Sequence, residues 1–260
     1  MARRDLTKKK KVIRRGAPFL MLAGFIGLWQ WSSGFYSPEQ FPPPLTVLSG
    51  ITELVRDGEL FRHIFVSVYR FSVGYLLAVA VAVPLGLALG RYLPMLRAAE
   101  PVIQLLRPIS PVAWFPLAVL WFGIGSAPAI FIIFYSALFP VLLATISGVV
   151  NTDRLLLSTA ANFGISELET FYKVIVPAAF PHIVIGLNLA VGVAWIHLVA
   201  GEMLGAQSGI GYMIVNARNF LRTDLILAGM LLIGILGIGV NFLAKKAEMT
   251  VKRRWGVPHE

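Results

Sequence analysis

Apolar positions in this chain come in long uncharged runs. Phe71 to Gly90, Pro108 to Thr152, Val174 to Gly201 and Leu225 to Ala244 contain no Asp, Glu, Lys or Arg. Crossing roughly 30 Å of hydrocarbon takes about 20 helical residues, so each interval predicts at least one membrane span. The second interval is too long for one helix and is broken by Gly123-Ile124-Gly125-Ser126-Ala127-Pro128, a stretch with turn chemistry. It predicts a helical hairpin. Ala17 to Trp31 adds a shorter apolar run near the start. The pattern predicts an all-α polytopic membrane protein of about six transmembrane helices, and an even number puts both termini on one side.

The first run has a second reading, because a cleaved secretory signal also begins with basic residues and an apolar stretch. Here the run ends in Trp29, Trp31, Phe35 and Tyr36, an interfacial aromatic belt, and no small-x-small cleavage site precedes Phe41-Pro42-Pro43-Pro44. Those residues favour an anchor that is retained.

Charge orients the spans. Of 260 residues only 14% are charged, with 23 Lys and Arg against 13 Asp and Glu, whereas an average soluble domain carries roughly 25% charged residues. Eight basic residues precede Ala17, and Arg91, Arg97, Arg107, Arg154, Lys173, Lys245, Lys246, Lys252, Arg253 and Arg254 fall on the same predicted side. The positive-inside rule makes that side cytoplasmic, both termini included. The expected organisation is a basic N-terminus over 1–16, a transmembrane domain over 17–244 and a basic C-terminus over 245–260. Basic blocks can bind nucleic acid, but one placed directly before a span reads first as contact with anionic lipid.

Chemistry is sparse. The absence of cysteine excludes disulfides, thiol catalysis and Cys-ligated metals. His63, His182, His197 and His259 lack metal-ligand spacing, and the sequence has no phosphate-binding Gly-x-x-x-x-Gly-Lys-Ser/Thr loop, His-Glu-x-x-His pair or Gly-x-Ser-x-Gly elbow. No catalytic residue, metal site or cofactor is expected on this chain.

The cytoplasmic loop at 151–172 is long enough to have structure. Asn151, Thr152 or Asp153 can cap a helix over Arg154 to Phe163. Gly164 supplies a left-handed stop, and Ser166-Glu167-Leu168-Glu169 is a capping box that starts another helix. Leu155, Leu156, Leu157 and Phe163, with Ala160 and Ala161 between them, make an apolar surface where there is no lipid to cover it. Either it folds back on the spans or a partner covers it.

From Ser158 to Pro177 the segment resembles the signature of ATP-binding-cassette importer permeases: Glu-Ala-Ala, three residues, Gly, nine residues, Ile-x-Leu-Pro. Gly164, Val174, Val176 and Pro177 fall at matching spacing, while Ser158, Thr159 and Ala160 replace Glu-Ala-Ala, so a contact through that acidic group does not carry over. Further blocks are similar to the nitrate, sulfonate, taurine and bicarbonate branch. They are Phe41-Pro42-Pro43-Pro44, Leu106 to Pro116, Leu120-Trp121-Phe122-Gly123-Ile124-Gly125, and Gly201-Glu202-Met203-Leu204-Gly205 with Gly209-Ile210-Gly211-Tyr212.

The resemblance implies a coupling helix at about Leu157 to Ile165 that enters a groove of a separate cytoplasmic ATPase, which holds the ATP and Mg. The coupling set it implies is Ser158, Thr159, Ala160, Ala161, Phe163, Gly164, Ile165 and Pro177. It further implies a second copy of the chain completing the pathway, and a periplasmic or lipid-anchored binding protein that delivers a small anion at a bacterial inner membrane.

Several residues inside the spans are candidates for the pathway. Pro108, Pro111 and Pro116 disturb the start of the third span, which is tolerated at depth only within protein or beside water. Arg107, Ser110 and Trp114 accompany them as a candidate anion-facing element near the inner mouth, with snorkelling of Arg107 to the interface as the other reading. His197 can donate to substrate or bond a neighbouring helix. Glu202 is expected to pair with Arg218, Arg222 or a backbone amide of Gly209 to Tyr212, and Arg70 to be an interfacial anchor or a cation at the outer vestibule. Gly186, Gly192, Gly201, Gly234, Gly237 and Gly239 leave room for close helix contact. A self-sufficient secondary transporter or channel is the rival reading, and the intramembrane acidic pairs it needs are missing from the spans.

Overall fold

The computed structural model describes residues 2–254, with side chains described over 17–249 except 247. The basic segment 1–16 and the C-terminal 250–260 lie outside the described side chains. Every regular element among the described residues is helical: α1 (Ala2–Ser33), α2 (Pro44–Arg56), α3 (Glu59–Arg91), α4 (Leu93–Leu106), a 3₁₀ turn (Pro111–Trp114) and α5 (Phe115–Phe122). After them come α6 (Ser126–Val150), α7 (Arg154–Asn162), α8 (Glu167–Thr170), a π turn (Phe171–Ile175), α9 (Val176–Gly205), α10 (Ile210–Asn219) and α11 (Thr223–Arg254). Gly123 at φ 74° and Gly125 at φ 146° make the turn between α5 and α6 that the sequence predicts.

Among the described residues four helical stretches are long and apolar enough to cross a membrane: Glu59–Arg91, Ser126–Val150, Glu167–Gly205 and Thr223–Lys246. They contain the second, fourth, fifth and sixth predicted spans. The first predicted span lies within α1. The third departs from expectation. It does not start at Pro108; α4 and the segment Pro111–Phe122 form a pair bent by 83° that makes a fifth crossing only if taken together. Charge-free intervals missed α4 because Arg97 and Glu100 lie on it and Arg107 caps its C-terminus. An amphipathic helix with one face on a groove carries charges where a helix surrounded by lipid cannot.

The chain forms two compact units, Met1–Leu60 with Ile214–Leu231, and Phe61–Met213 with Leu232–Glu260. In the first, Trp29 Nε1 donates to the Pro42 carbonyl at 3.1 Å, and Thr223 Oγ1 donates to that of Glu39 at 2.6 Å. Arg222 bridges Glu53 at 2.7 Å and Asp224 at 2.8 Å. In the second unit α6 is the central helix. A Cβ on Gly86 of α3 would lie 2.6 Å from Thr145 Cβ, and one on Gly186 of α9 would lie 2.5 Å from Ala144 Cβ. Both neighbours therefore approach the α6 backbone at distances only glycine permits. Phe71, Tyr135, Phe139 and Trp195 fill the core between them, with the Phe71 and Trp195 rings edge to face at 5.4 Å. Gly201 packs on Ala129 and Gly237 under the Trp195 ring, whereas Gly192, Gly234 and Gly239 face open space.

Candidate functional site

The elbow between α6 and α9 is built by local capping. Asp153 Oδ1 accepts from the Leu155 amide at 2.8 Å and starts α7. The helix ends in a Schellman motif. Gly164 N–H donates to Ala161 O at 3.0 Å and Ile165 N–H to Ala160 O at 3.1 Å, with Gly164 at φ 67°. Ser166 Oγ then accepts from the Glu169 amide at 3.3 Å to open α8. The Arg91–Glu167 and Lys173–Glu169 ion pairs, at 3.1 and 2.8 Å, sit on the same elbow. Pro177 has no N–H for the Lys173 carbonyl and crowds it, and the helix widens into the π turn immediately before that proline.

The helix is two-faced. Leu157 packs against Val149, Ile175, Ala179 and Ile183. Leu155, Phe163, Leu168 and Tyr172 are 69%, 79%, 68% and 63% exposed. Of the expected coupling residues, Ser158, Thr159, Ala161, Phe163 and Gly164 lie on the open face and Ile165 and Pro177 are half-buried. Ala160 is 3% exposed, so it anchors α7 from behind and offers no surface of its own. The helix starts three residues before Leu157 and ends before Phe163, because Asp153 and Gly164 set its caps.

At the other end of the long helices lies a buried charge cluster. Glu202 of α9 and Arg70 of α3, 1% and 2% exposed, pair at 3.0 Å. The carboxylate also receives Ser67 Oγ at 2.8 Å and the Gly211 amide at 2.9 Å, while Ser67 Oγ accepts from Ile210 N–H at 2.9 Å. Glu202 and Ser67 thus serve the first amides of α10, where negative charge is favoured. Arg70 further donates to the Ser208 carbonyl at 2.6 Å, Ser208 Oγ at 3.0 Å and Ser126 Oγ at 3.1 Å. His63 Nδ1 accepts from Gly209 N–H at 3.0 Å. A backbone amide was expected for Glu202 and is present; Arg218 and Arg222 are not its partners. Arg70, read as an anchor or vestibule cation, is enclosed, because folding brings α3 against the α9–α10 turn.

The four pathway candidates do not form one site. Trp114 packs against Trp121 and Tyr135 at 6.2 and 5.5 Å, and its Nε1 is buried with no hydrogen-bond partner among the described residues. Ser110 is exposed at the start of the 3₁₀ turn. His197 Nδ1 lies 2.8 Å from the Val193 carbonyl, one turn back on its own helix. Arg107 lines a groove of about 670 Å³ together with Glu100, Gln104, Pro108, Leu143 and Ile146. The Leu106 carbonyl accepts from Tyr135 Oη at 2.6 Å, which ties the bend after α4 to α6. Glu100 and Gln104 were missed for the same reason as α4 itself.

Residues 82–249 match the family described as binding-protein-dependent transport system inner membrane component. The aliphatic sulfonates transport permease protein of Escherichia coli (strain K12) is 35% identical over 253 residues, covering 96% of this chain and 94% of that one. The taurine transport system permease protein of the same organism is 34% identical over 223 residues, covering 84% and 80%. The chain belongs to this permease family.

The permease is accordingly the transmembrane subunit of an ATP-binding-cassette importer, an inner-membrane component and not itself an enzyme; the family implies ATP use by a partner ATPase. Its fold is similar to that of a chain of the MetNI methionine ABC transporter in an inward-facing conformation, with a TM-score of 0.64 at 17% identity, covering 74% of this chain and 95% of that one. The family match spans the elbow, the α4 groove and Glu202, and begins after Ser67 and Arg70.

Proposed function

We propose that the permease moves a small anion of the sulfonate, taurine or nitrate class inward, driven by an ATPase that grips the α7–α8 elbow. The supporting observation is the elbow itself. Leu155, Phe163, Leu168 and Tyr172 are apolar or aromatic and exposed, on a loop shaped by two caps and a Schellman turn. Exposed apolar groups clustered on one loop mark an interaction surface. Both termini and the elbow face the cytoplasm, a binding protein docks on the opposite face, and a second copy of the chain completes the pathway.

In this mechanism nucleotide-driven closure of the ATPase displaces the elbow. The displacement passes through the π turn into α9, and α9 carries α6 through their glycine-mediated contact. Nucleotide and loaded receptor bias the populations of inward and outward states rather than creating them. Substitution of Gly164 by Asp puts a side chain at φ 67° and a charge in the docking surface. In liposomes with ATPase and receptor, Gly164→Asp is expected to abolish receptor-stimulated ATP hydrolysis while membrane insertion stays normal. Stimulated hydrolysis at the unsubstituted rate would remove the coupling role.

A further inference from the structure

The turn between α10 and α11 is closed by a second Schellman motif. Leu221 N–H donates to Arg218 O at 3.0 Å and Arg222 N–H to Ala217 O at 2.9 Å. At Gly164 the same motif puts a glycine in the left-handed region. Here Leu221 occupies it at φ 57°, the one non-glycine residue with positive φ among the described residues. A Cβ is disfavoured there, and leucine has no side-chain hydrogen bond to compensate. Burial does not compensate either, because Leu221 is 84% exposed and Phe220 beside it 72%. Such uncompensated strain marks functional sites.

The backbone bonds of the motif set where Phe220 and Leu221 project. Arg222 then reaches Glu53 of α2, and Thr223 Oγ1 the Glu39 carbonyl, so the polar side of the turn is spent on its own unit. Arg218 is exposed and forms no ion pair among the described residues. Connectivity puts the turn away from the elbow: the candidate span that starts at Glu167 ends at Gly205, before α10, and the next starts at Thr223.

We infer that Phe220 and Leu221 anchor the docking of the transport system's binding protein, in an apolar socket whose rim carries a carboxylate for Arg218. The family is described as binding-protein-dependent, and in an importer that protein meets the side away from the ATPase. A lipid surface takes an apolar side chain from any backbone geometry and gives no reason for a left-handed leucine. A folded partner with a fixed socket does. A few anchors seated in pockets carry most of the energy of a protein interface, and rim charges govern the approach. The inference rests on the importer reading and names its docking surface.

The test uses the permease–ATPase complex in lipid nanodiscs with the loaded binding protein, and reads the binding-protein concentration that half-stimulates ATP hydrolysis. Leu221→Gly deletes the anchor and relieves the backbone, so it separates docking from folding. The half-stimulating concentration is expected to rise about tenfold, while the thermal midpoint holds or rises. Phe220→Ser should raise the concentration likewise, and Arg218→Gln should raise it at low salt only. An unaltered concentration in Leu221→Gly would overturn the docking surface. A lowered thermal midpoint in that variant would overturn it too, since Leu221 would then be serving the fold. The chain has no cysteine, so Leu221→Cys takes a single environment-sensitive dye, whose emission should shift to the blue on adding the binding protein. Emission already blue in nanodiscs alone would seat the turn in lipid and sink the docking role. Absence of stimulation in the unsubstituted complex would instead remove the importer reading beneath the inference.

Discussion

Arg70 and Glu202 are 132 residues apart in sequence and 3.0 Å apart in the fold. Beyond their mutual contact the two side chains hydrogen-bond serine hydroxyls, a backbone amide and a backbone carbonyl, which offsets the cost of burying two charges. Removing one partner leaves the other charged and enclosed, at a cost of about 3–5 kcal/mol. Glu202→Ala and Arg70→Ala are each expected to lower the thermal midpoint of the solubilised permease sharply. The double variant Arg70→Ala with Glu202→Ala should lose less than the two singles summed; strict additivity would show that the pair does not act as a unit.

Arg222, outside the spans, behaves differently because it is partly open to water. Its hydrogen bonds to Asp224 and Glu53 hold the guanidinium protonated more firmly than usual, and the hydrogen bond from Arg222 keeps the Glu53 carboxyl below its ordinary value of 4.5. A lowered carboxylate stabilises the fold above the ordinary value and loses that contribution as pH falls through the lowered one. Glu53→Gln is therefore expected to flatten the acid side of the thermal midpoint against pH, and an unchanged profile would remove the pair from the stability account. That Glu202 needs a partner was legible in the sequence from the cost of a charge in a span. Which arginine supplies it was not, because local sequence carries no record of a contact 132 positions away.

Among the elements, the elbow was legible almost residue by residue. Capping acts over two to four positions, so Asp153, Gly164 and Ser166 set the helix ends through groups that are neighbours in the chain. Asp153→Ala is expected to loosen α7 by about 1 kcal/mol and to lower receptor-stimulated hydrolysis in part, with Asp153→Ser or Asp153→Asn restoring it. Equal rates in all three would show that the cap does not matter to coupling. The third span was not legible. Its 83° bend joins two pieces that are each too short to cross, and the first carries charges because one of its faces lines a groove. Sequence hydropathy averages over faces, so a helix that is half wet looks like a loop.

Across the whole molecule, packing is decided by where small residues meet. Gly86 and Gly186 let α3 and α9 close on α6 within the second unit, while Gly234 has nothing within 4 Å. Gly86→Leu and Gly186→Leu should destabilise the permease strongly, since their side chains would enter the α6 surface. Gly234→Leu should leave the thermal midpoint of the solubilised chain near that of the parent. The opposite ranking would contradict the central position of α6. Much of the α11 surface stays open, with 17% of its most apolar window buried against 61% for α6, which leaves it for lipid or a second copy.

The sequence by itself determined that the chain is helical, membrane-embedded and equipped with a capped elbow between two spans, because hydrophobic run length and capping chemistry act locally. Only the tertiary structure decided that Arg70 closes on Glu202, that α6 lies at the centre of its unit, and that Glu100 and Arg107 share a groove. Those outcomes depend on which helix faces meet. The free energy of a buried charge or a close glycine contact exists only after distant segments have come together.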